Sequence, residues 1–210
     1  MRLYFRLALL VLCTLLLPAQ APQPVYVYYY AYGPFAVIDE RTVALIGSTD
    51  LRSPAAFRAM LRDHPHVSLL LFVNCPGTRD DASNLALGRQ IRAAGLDAYV
   101  PPGASVRSGA VDLLVAARRS QIADGAQFVV HAWRYFDGRE ASDFAASSPL
   151  HRQYLAYYRE MGMTARQAAA FYAMTNSAPH RSARQLSAAE MRAWIAPDVG
   201  SPRVAYRPAM

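Results

Sequence analysis

Two patterns of apolar residues alternate along the chain, one typical of strands and one typical of helices. Phe35–Ile38 and Thr42–Ile46 are short β-rich runs with hairpin spacing. Beyond Gly47, apolar stretches of strand length alternate with segments whose apolar residues recur every three to four positions. The stretches that predict strands are Val67–Val73, Leu96–Val100 and Gln127–His131. The first of these is apolar along nearly its whole length, which is typical of a strand buried on both faces of a parallel sheet.

Three helices are predicted between these strands. Ser53 followed by Pro54 is a helix start, with Ser53 as the N-cap. The second helix is stopped by Gly95, and the third runs from Gly109 to about residue 118, after a Pro/Gly/Ser-rich loop over 101–108. The alternation predicts an α/β fold with a largely parallel sheet.

The C-terminal third is predicted to be helical. One amphipathic face is formed by Leu150, Tyr154, Leu155, Tyr158 and Met161. Thr164 with Gln167, and Ser187 with Glu190, have the spacing of capping boxes and open two further helices. These aromatic residues are interpreted as core, because helical spacing alone explains them.

The N-terminus resembles a secretory signal. Arg2 and Arg6 precede a mainly apolar run from Leu7 to Leu17, which is about half the roughly 20 residues that a membrane-spanning helix needs. We therefore divide the chain into a signal peptide (1–21), a Tyr/Pro-rich arm (22–36), one domain (37–196) and a tail (197–210). The predicted location is periplasmic or secreted, with no stable membrane span after the signal is removed.

The composition excludes several kinds of binding and catalysis. The chain has 22 Arg and no Lys, with a formal net charge of +7, and its Arg residues are dispersed, so we expect no nucleic-acid binding. The absence of Lys excludes Schiff bases, Ser-Lys dyads and Walker-type phosphate loops. His64 and His66 flank a proline and are interpreted as a turn, so no metal site is predicted. After signal removal a single thiol, Cys75, remains.

Three loop features carry the candidate chemistry. Residues 74–78, Asn-Cys-Pro-Gly-Thr, form a turn between a predicted strand and helix, where backbone N–H groups can face an anion. Ser108 precedes Gly109 at a helix start, which suits either a nucleophile or an ordinary N-cap. His131 ends an apolar strand, and parallel topology would bring it to the same sheet edge.

In this order and spacing, the three features resemble the ClpP/crotonase superfamily. The resemblance spans about residues 42–195, and the closest match is the group of exported bacterial ClpP-like proteins, in which His-x-x-Tyr and a Met-Gly helix end recur. Here these are His151, Tyr154, Met161 and Gly162. The resemblance implies a spiral of ββα units with a largely parallel sheet and C-terminal helices. It also implies homo-oligomers, because relatives form rings or trimers.

The same resemblance assigns roles to residues. Ser108 would be the nucleophile, His131 the general base, and the N–H groups of Gly109 and of Gly77 or Thr78 the oxyanion hole. The expected acidic residue is missing from 178–186, and Asn176, Ser182 or a backbone carbonyl are the candidate substitutes. The implied partner is a peptide or protein substrate, and no cofactor is implied.

Two alternatives remain beside the predicted serine peptidase. The missing acid, together with Thr78 where the family has a second glycine, favours a catalytically inactive ClpP-fold protein that binds peptides or partners. A crotonase-like acyl-CoA enzyme is the third hypothesis, and export into a compartment without coenzyme A argues against it.

Overall fold

The computed structural model describes residues 30–195 of the chain. The predicted signal peptide, most of the Tyr/Pro-rich arm and the predicted tail lie outside the described residues. Among residues 30–195, no helix is long and apolar enough to cross a membrane.

Strands and helices follow each other as the sequence predicts, with additional short strands. Within the described residues the strands are β1 (Tyr30–Tyr32), β2 (Phe35–Val37), β3 (Thr42–Ile46), β4 (Leu69–Cys75), β5 (Asp97–Val100), β6 (Ser105–Arg107), β7 (Ser120–Ile122), β8 (Gln127–Val130) and β9 (Arg184–Ser187). The helices of the same part are α1 (Ser53–Asp63), α2 (Asp81–Ala94), α3 (Gly109–Ala116), α4 (Pro149–Glu160), α5 (Ala165–Thr175) and α6 (Ala188–Ile195).

All nine of these strands form one sheet that splits along β4. The main path runs β1-β2-β3-β4-β6-β8-β9, while β5 pairs with the first half of β4 and with β7. The pairings among β3 to β8 are parallel, and the antiparallel ones lie at the two ends. The order β5-β6-α3-β7-β8 repeats a strand-strand-helix unit. The predicted α/β spiral with a largely parallel sheet and C-terminal helices is therefore confirmed.

Three of these strands are not predicted from the sequence, because they are short and mostly polar. β6 lies inside the segment predicted as a loop, β7 follows α3, and β9 pairs antiparallel with β8 just before α6. Each buries only one residue, Val106, Ile122 and Leu186 respectively. A run of three or four residues with one buried position gives no periodic signal.

The prediction for Ser53 is wrong in detail. α1 begins at Ser53 itself, after Arg52, and no side chain caps the helix. The Ser53 hydroxyl instead donates to Asp50 Oδ1 over 3.1 Å and accepts from the Asp50 N–H over 2.9 Å. These bonds close the preceding turn rather than the helix end.

The main core lies between the sheet and the helices. It is built on large side chains with no exposed surface: Phe35, Phe57, Phe72, Phe128 and Phe171. The C-terminal helices add Tyr157 and Tyr158 from α4, which reach α3 across the core. These two hydrogen bonds tie α4 to α3, whose first residue follows the candidate residue Ser108.

Candidate active site

Ser108 has a strained backbone at the start of α3. Its φ of 49° and ψ of −130° make it the one non-glycine residue among those described with a positive φ. The strain is held by hydrogen bonds, because the Ser108 N–H donates to Val129 O in β8 and the Ser108 carbonyl accepts from the Val111 N–H. Positive φ costs about 1–3 kcal/mol at a residue with a side chain and persists where surrounding structure imposes it, commonly at functional sites.

The Ser108 hydroxyl is not used as a helix cap. It occupies the N-cap position, yet makes no capping hydrogen bond, and no other hydrogen bond of its hydroxyl occurs within the described part of the chain. The alternative of an ordinary N-cap serine therefore does not fit. The combination of strained backbone and free hydroxyl at a strand-to-helix turn is typical of a nucleophile elbow.

The turn after β4 packs directly on Ser108. Gly77 has a φ of 124°, and a Cβ placed there would lie 2.9 Å from the Cβ of Ser108 and 3.5 Å from its Oγ. Gly109 is equally close to the turn, because its Cβ would lie 2.7 Å from Thr78 Cγ2. Only glycine therefore allows the two backbones to approach this closely. Thr78 itself has a negative φ and is not strained by replacing a glycine.

Three backbone N–H groups in the turn after β4 and at the start of α3, both of which adjoin Ser108, have no partner within the described residues. None of the N–H groups of Gly77, Thr78 and Gly109 donates to an acceptor within residues 30–195. Gly77 and Gly109 are buried residues, and buried N–H groups are normally paired. Unpaired donors beside a free hydroxyl have the arrangement that an anion forming on a bound substrate would need.

His131 follows β8 and faces the same space. Its Nδ1 lies 3.0 Å from the carbonyl oxygen of Ala132. A carbonyl only accepts, so Nδ1 carries the proton and Nε2 is left as the basic nitrogen. No hydrogen bond joins Ser108 and His131 in the described structure. Catalytic hydrogen bonds are often long before substrate binds, so the juxtaposition remains compatible with a Ser–His pair.

The candidate substitutes for the missing acid do not contact His131. Asn176 lines the same space, but its side chain accepts from the Trp133 N–H and donates to Tyr172 O and Thr175 Oγ1. Ser182 is exposed and does not line the space. The acceptor on His131 is therefore a backbone carbonyl, that of Ala132.

A second histidine stacks edge-on against His131. The ring of His180 lies 4.3 Å from that of His131, centre to centre. Burial lowers the pKa of His180 below its ordinary value, and the neighbouring His131 and Arg134 lower it further. His180 is therefore neutral near pH 7, which avoids two adjacent imidazolium charges.

The loop after His131 is held by hydrogen bonds to α4 and α5. Trp133 Nε1 donates to the Tyr172 hydroxyl over 2.7 Å, and that hydroxyl lies 2.7 Å from His151 Nδ1. His151 Nε2 faces the Phe144 carbonyl, so Nε2 is the protonated nitrogen and Nδ1 accepts from Tyr172. His151, which carries part of the family resemblance, thus positions the loop and does not touch Ser108.

Ser108 opens into a cavity of about 250 Å³. We call it the Ser108 cavity, and the side chains relevant to its chemistry are Asp81, Ser108, Asp112, His131, Tyr154 and His180. Sequence analysis missed the two aspartates. Asp112 is the sole charged residue of α3, an otherwise apolar helix, and that contrast was the available signal.

Both aspartates hold their protons more tightly than usual. Burial raises the pKa of Asp112 to about 7, a hydrogen bond from Tyr158 opposes the rise, and the nearby Asp81 adds to it. Burial also raises the pKa of Asp81, which is hydrogen bonded to Tyr154. A cluster of perturbed acids beside a free serine hydroxyl is typical of a functional site.

Cys75 takes no part in this site. Its thiol is buried and donates to Leu45 O over 3.2 Å, and burial raises its pKa to about 12. Because the thiolate is the reactive form, this cysteine is a core residue rather than a nucleophile. Within the described residues there is also no group of three or more His, Cys, Asp or Glu that could hold a metal ion.

Comparisons with known proteins give matches among solved structures. No protein-family model and no curated protein matches the chain. A variant of the 1510-N membrane-bound stomatin-specific protease, in complex with a substrate peptide, is 17% identical over 74% of this chain and 71% of that chain, with a TM-score of 0.46. The 1510-N protease from Pyrococcus horikoshii is 14% identical over 74% and 71% of the two chains, with a TM-score of 0.42.

A variant of ClpP1 from Listeria monocytogenes is also similar. It is 15% identical over 74% of this chain and 88% of that chain, with a TM-score of 0.47. The ClpP/crotonase resemblance of the sequence points to the same group of proteins.

Proposed function

We propose that this protein is a ClpP-like serine hydrolase, and specifically a peptidase, with Ser108 as nucleophile and His131 as general base. The observation that carries the proposal is the strained, uncapped Ser108 next to a turn whose N–H groups, like that of Gly109, are unpaired within the described residues. An ordinary helix start explains neither the positive φ nor the unused hydroxyl.

The reaction would proceed through an acyl-enzyme. His131 Nε2 accepts the Ser108 proton as Oγ attacks the scissile carbonyl, and the oxyanion is stabilised by the N–H groups of Gly77, Thr78 and Gly109. His131 then gives its proton to the leaving amine as the C–N bond breaks. Water, deprotonated by the same nitrogen, attacks the acyl-enzyme and releases the carboxylic acid product.

The Ala132 carbonyl supports His131 less well than a carboxylate would, which lowers the rate expected for this mechanism. It selects the correct tautomer of His131, as an orienting carboxylate does, but carries no full charge to stabilise the imidazolium. In serine proteases, replacing the carboxylate with a group that imposes the wrong tautomer lowers turnover by about four orders of magnitude. With the tautomer correct but no carboxylate hydrogen bonded to His131 within the described residues, we expect a slow enzyme rather than an inactive one.

Secretion or a periplasmic location is part of the same proposal. It is supported by the charged start and apolar run of residues 1–21. Fractionation of cells producing the full chain, followed by N-terminal sequencing of the exported form, tests it. A full-length protein confined to the cytosol would refute export.

The activity is tested with a diverse peptide mixture incubated with the purified protein, with new termini read by mass spectrometry. Wild type should create termini that the Ser108→Ala protein does not. Ser105→Ala, three residues away on β6, is the matched control and should retain cleavage. Cleavage that survives Ser108→Ala would overturn the assignment of the nucleophile.

A catalytically inactive peptide-binding protein is the second candidate. It is favoured by the lack of a hydrogen bond between Ser108 and His131 and of a carboxylate on His131 among the described residues. Peptide binding that is equal in wild type and Ser108→Ala, without any new termini, would support this candidate.

A further inference from the structure

The Ser108 cavity has an acidic wall that the proposed reaction does not use. Asp81 lies in the first turn of α2, and Asp112 is the fourth residue of α3, one turn beyond Ser108. Both line the cavity. The two carboxyl groups come from different helices, so the packing of α2 against α3 brings them together.

One of the two carboxylate oxygens of Asp112 has no hydrogen-bond partner within the described residues. The residue is only 8% exposed, and Oδ1 accepts a hydrogen bond of 2.7 Å from the Tyr158 hydroxyl. Oδ2 has no hydrogen-bond donor among the described residues. Because Asp112 lines the Ser108 cavity, this oxygen is placed to accept from a group that enters the cavity.

The nearby His131 lowers the pKa of Asp81 electrostatically, but no arginine within residues 30–195 pairs with either aspartate. Arg79 and Arg134 line the cavity as well, but both are exposed and neither pairs with the acidic wall. The sequence also has no lysine that could fill this role.

We infer that Asp81 and Asp112 select a substrate whose residue in the Ser108 cavity carries a guanidinium or ammonium group. This inference rests on the proposed peptidase function and names its substrate class, peptides with an arginine or lysine beside the scissile bond. At about 250 Å³ the cavity lies just below the roughly 300–1,000 Å³ of typical small-molecule sites. It therefore suits one side chain rather than a large ligand.

Charge complementarity explains why selection would be strong. A guanidinium offers planar paired donors that match a carboxylate, and a water-poor wall strengthens each charge-assisted hydrogen bond. Close charge pairs at a protein interface contribute about 1.5–7 kcal/mol in coupling experiments, which corresponds to at least about a tenfold preference.

The test uses fluorogenic peptides that differ only at the residue before the scissile bond, with Arg, Lys, Leu or Glu. Wild type should cleave the Arg and Lys peptides with kcat/KM at least about tenfold above that for Leu. Asp112→Asn and Asp81→Asn should each reduce this preference, mainly by raising KM for the basic peptides relative to the Leu peptide.

Asp124→Asn is the matched control because it removes the same charge outside the cavity. Asp124 is 92% exposed and pairs with Arg192. This variant should keep the wild-type preference. Equal cleavage of Leu and Arg peptides by wild type, or a preference for Glu set by Arg79 and Arg134, would overturn the inference. Asp112→Asn lowering kcat equally on all four peptides would assign it to the chemistry and also overturn it.

A binding experiment separates this inference from the proposed reaction. Benzamidine should bind the Ser108→Ala protein in calorimetry, benzamide should not, and Asp112→Asn should weaken benzamidine at least about tenfold. If wild type cleaves no peptide but benzamidine binds in this way, cation binding by the acidic wall is supported and the proposed peptidase activity is overturned. If peptides are cleaved but benzamidine does not bind, the proposed peptidase activity is supported and cation binding by the acidic wall is overturned.

Discussion

At the scale of single residues, backbone geometry distinguishes a reactive serine from a structural one. The same Ser-Gly pair at a helix start gives an N-cap when the hydroxyl accepts from the helix and a candidate nucleophile when it does not. Sequence analysis located Ser108 and His131 but left these alternatives open. The positive φ of Ser108 depends on packing against Gly77, a residue 31 positions earlier, so no local pattern contains it.

Gly77 provides the sharpest residue-scale test. In Gly77→Ala, the new Cβ would lie 2.9 Å from Ser108 Cβ and displace the N–H groups from the hydroxyl. We expect the rate of labelling of Ser108 by a fluorophosphonate to fall by about 100-fold or more, which is the effect of losing one oxyanion-hole donor.

Gly47→Ala is the matched control, because Gly47 also has a positive φ, 99°, but a Cβ there meets nothing within 4 Å. Both variants carry backbone strain, so both should lose thermal stability, yet only Gly77→Ala should lose labelling. Equal loss of labelling in the two variants would mean that strain, and not contact with Ser108, is responsible.

The raised pKa of Asp112 predicts that the free energy of unfolding depends on pH. Its folded pKa of about 7 exceeds the ordinary value of 3.8 that applies to the unfolded chain. Stability is therefore fully present below about pH 4 and falls as pH rises through 7, because the unfolded chain releases a proton that the folded chain retains. The total loss is up to about 4 kcal/mol for a shift of three pKa units.

Asp112→Asn should remove this dependence. Thermal melts of the variant and wild type should coincide near pH 4, and at pH 8 the variant should melt several degrees higher, since 1 kcal/mol corresponds to roughly 2–4 °C for a domain of this size. Asp124→Asn serves as the exposed control. A difference between Asp112→Asn and wild type that is constant over this pH range would contradict the raised pKa.

At the scale of elements, the site depends on two hydrogen bonds of Asn84 that hold the start of α3 in place. Thr49 Oγ1 donates to Asn84 Oδ1, and Asn84 Nδ2 donates to the Gly109 carbonyl, each over 2.8 Å. Asn84 thereby joins the segment before α1, the buried side of α2 and the start of α3. The helices α2 and α3 were predicted from their periodicity and from Gly95, whereas this bridge depends on tertiary packing that periodicity does not encode.

Asn84→Ala should destabilise the protein by about 2–4 kcal/mol, because it leaves the Thr49 hydroxyl buried without its partner and removes the side-chain hydrogen bond to the Gly109 carbonyl. It should also slow fluorophosphonate labelling, since the first residue of α3 loses its anchor. Urea denaturation measures the first effect, and the labelling rate of the folded fraction measures the second.

The control for this change is Asn74→Ala. Asn74 is exposed at the end of β4, and its side chain makes no hydrogen bond within the described residues. This variant should stay within about 0.5 kcal/mol of wild type. If Asn84→Ala were equally mild, the bridge would not be what holds α3.

At the scale of the whole molecule, topology assembles the cavity from segments distant in sequence. Parallel pairing of β4, β6 and β8 brings Gly77, Ser108 and His131 to one sheet edge, which the sequence predicts. α4 and α5 then close the space with Tyr154, Tyr158 and Asn176, and how these helices pack on α3 could not be read from their amphipathic faces. The fold class and the placement of Ser108 and His131 at one edge of the sheet were therefore accessible from sequence, but the acidic wall and the Ala132 acceptor were not.

The central claim is that Ser108 is a nucleophile activated by His131. Intact-mass spectrometry of the protein treated with a fluorophosphonate, followed by peptide mapping, measures this directly. The account predicts one adduct per chain, located on Ser108, absent in Ser108→Ala and formed at least about 100-fold more slowly in His131→Ala. A folded wild-type protein that gains no adduct, or gains it on another residue, would contradict the account.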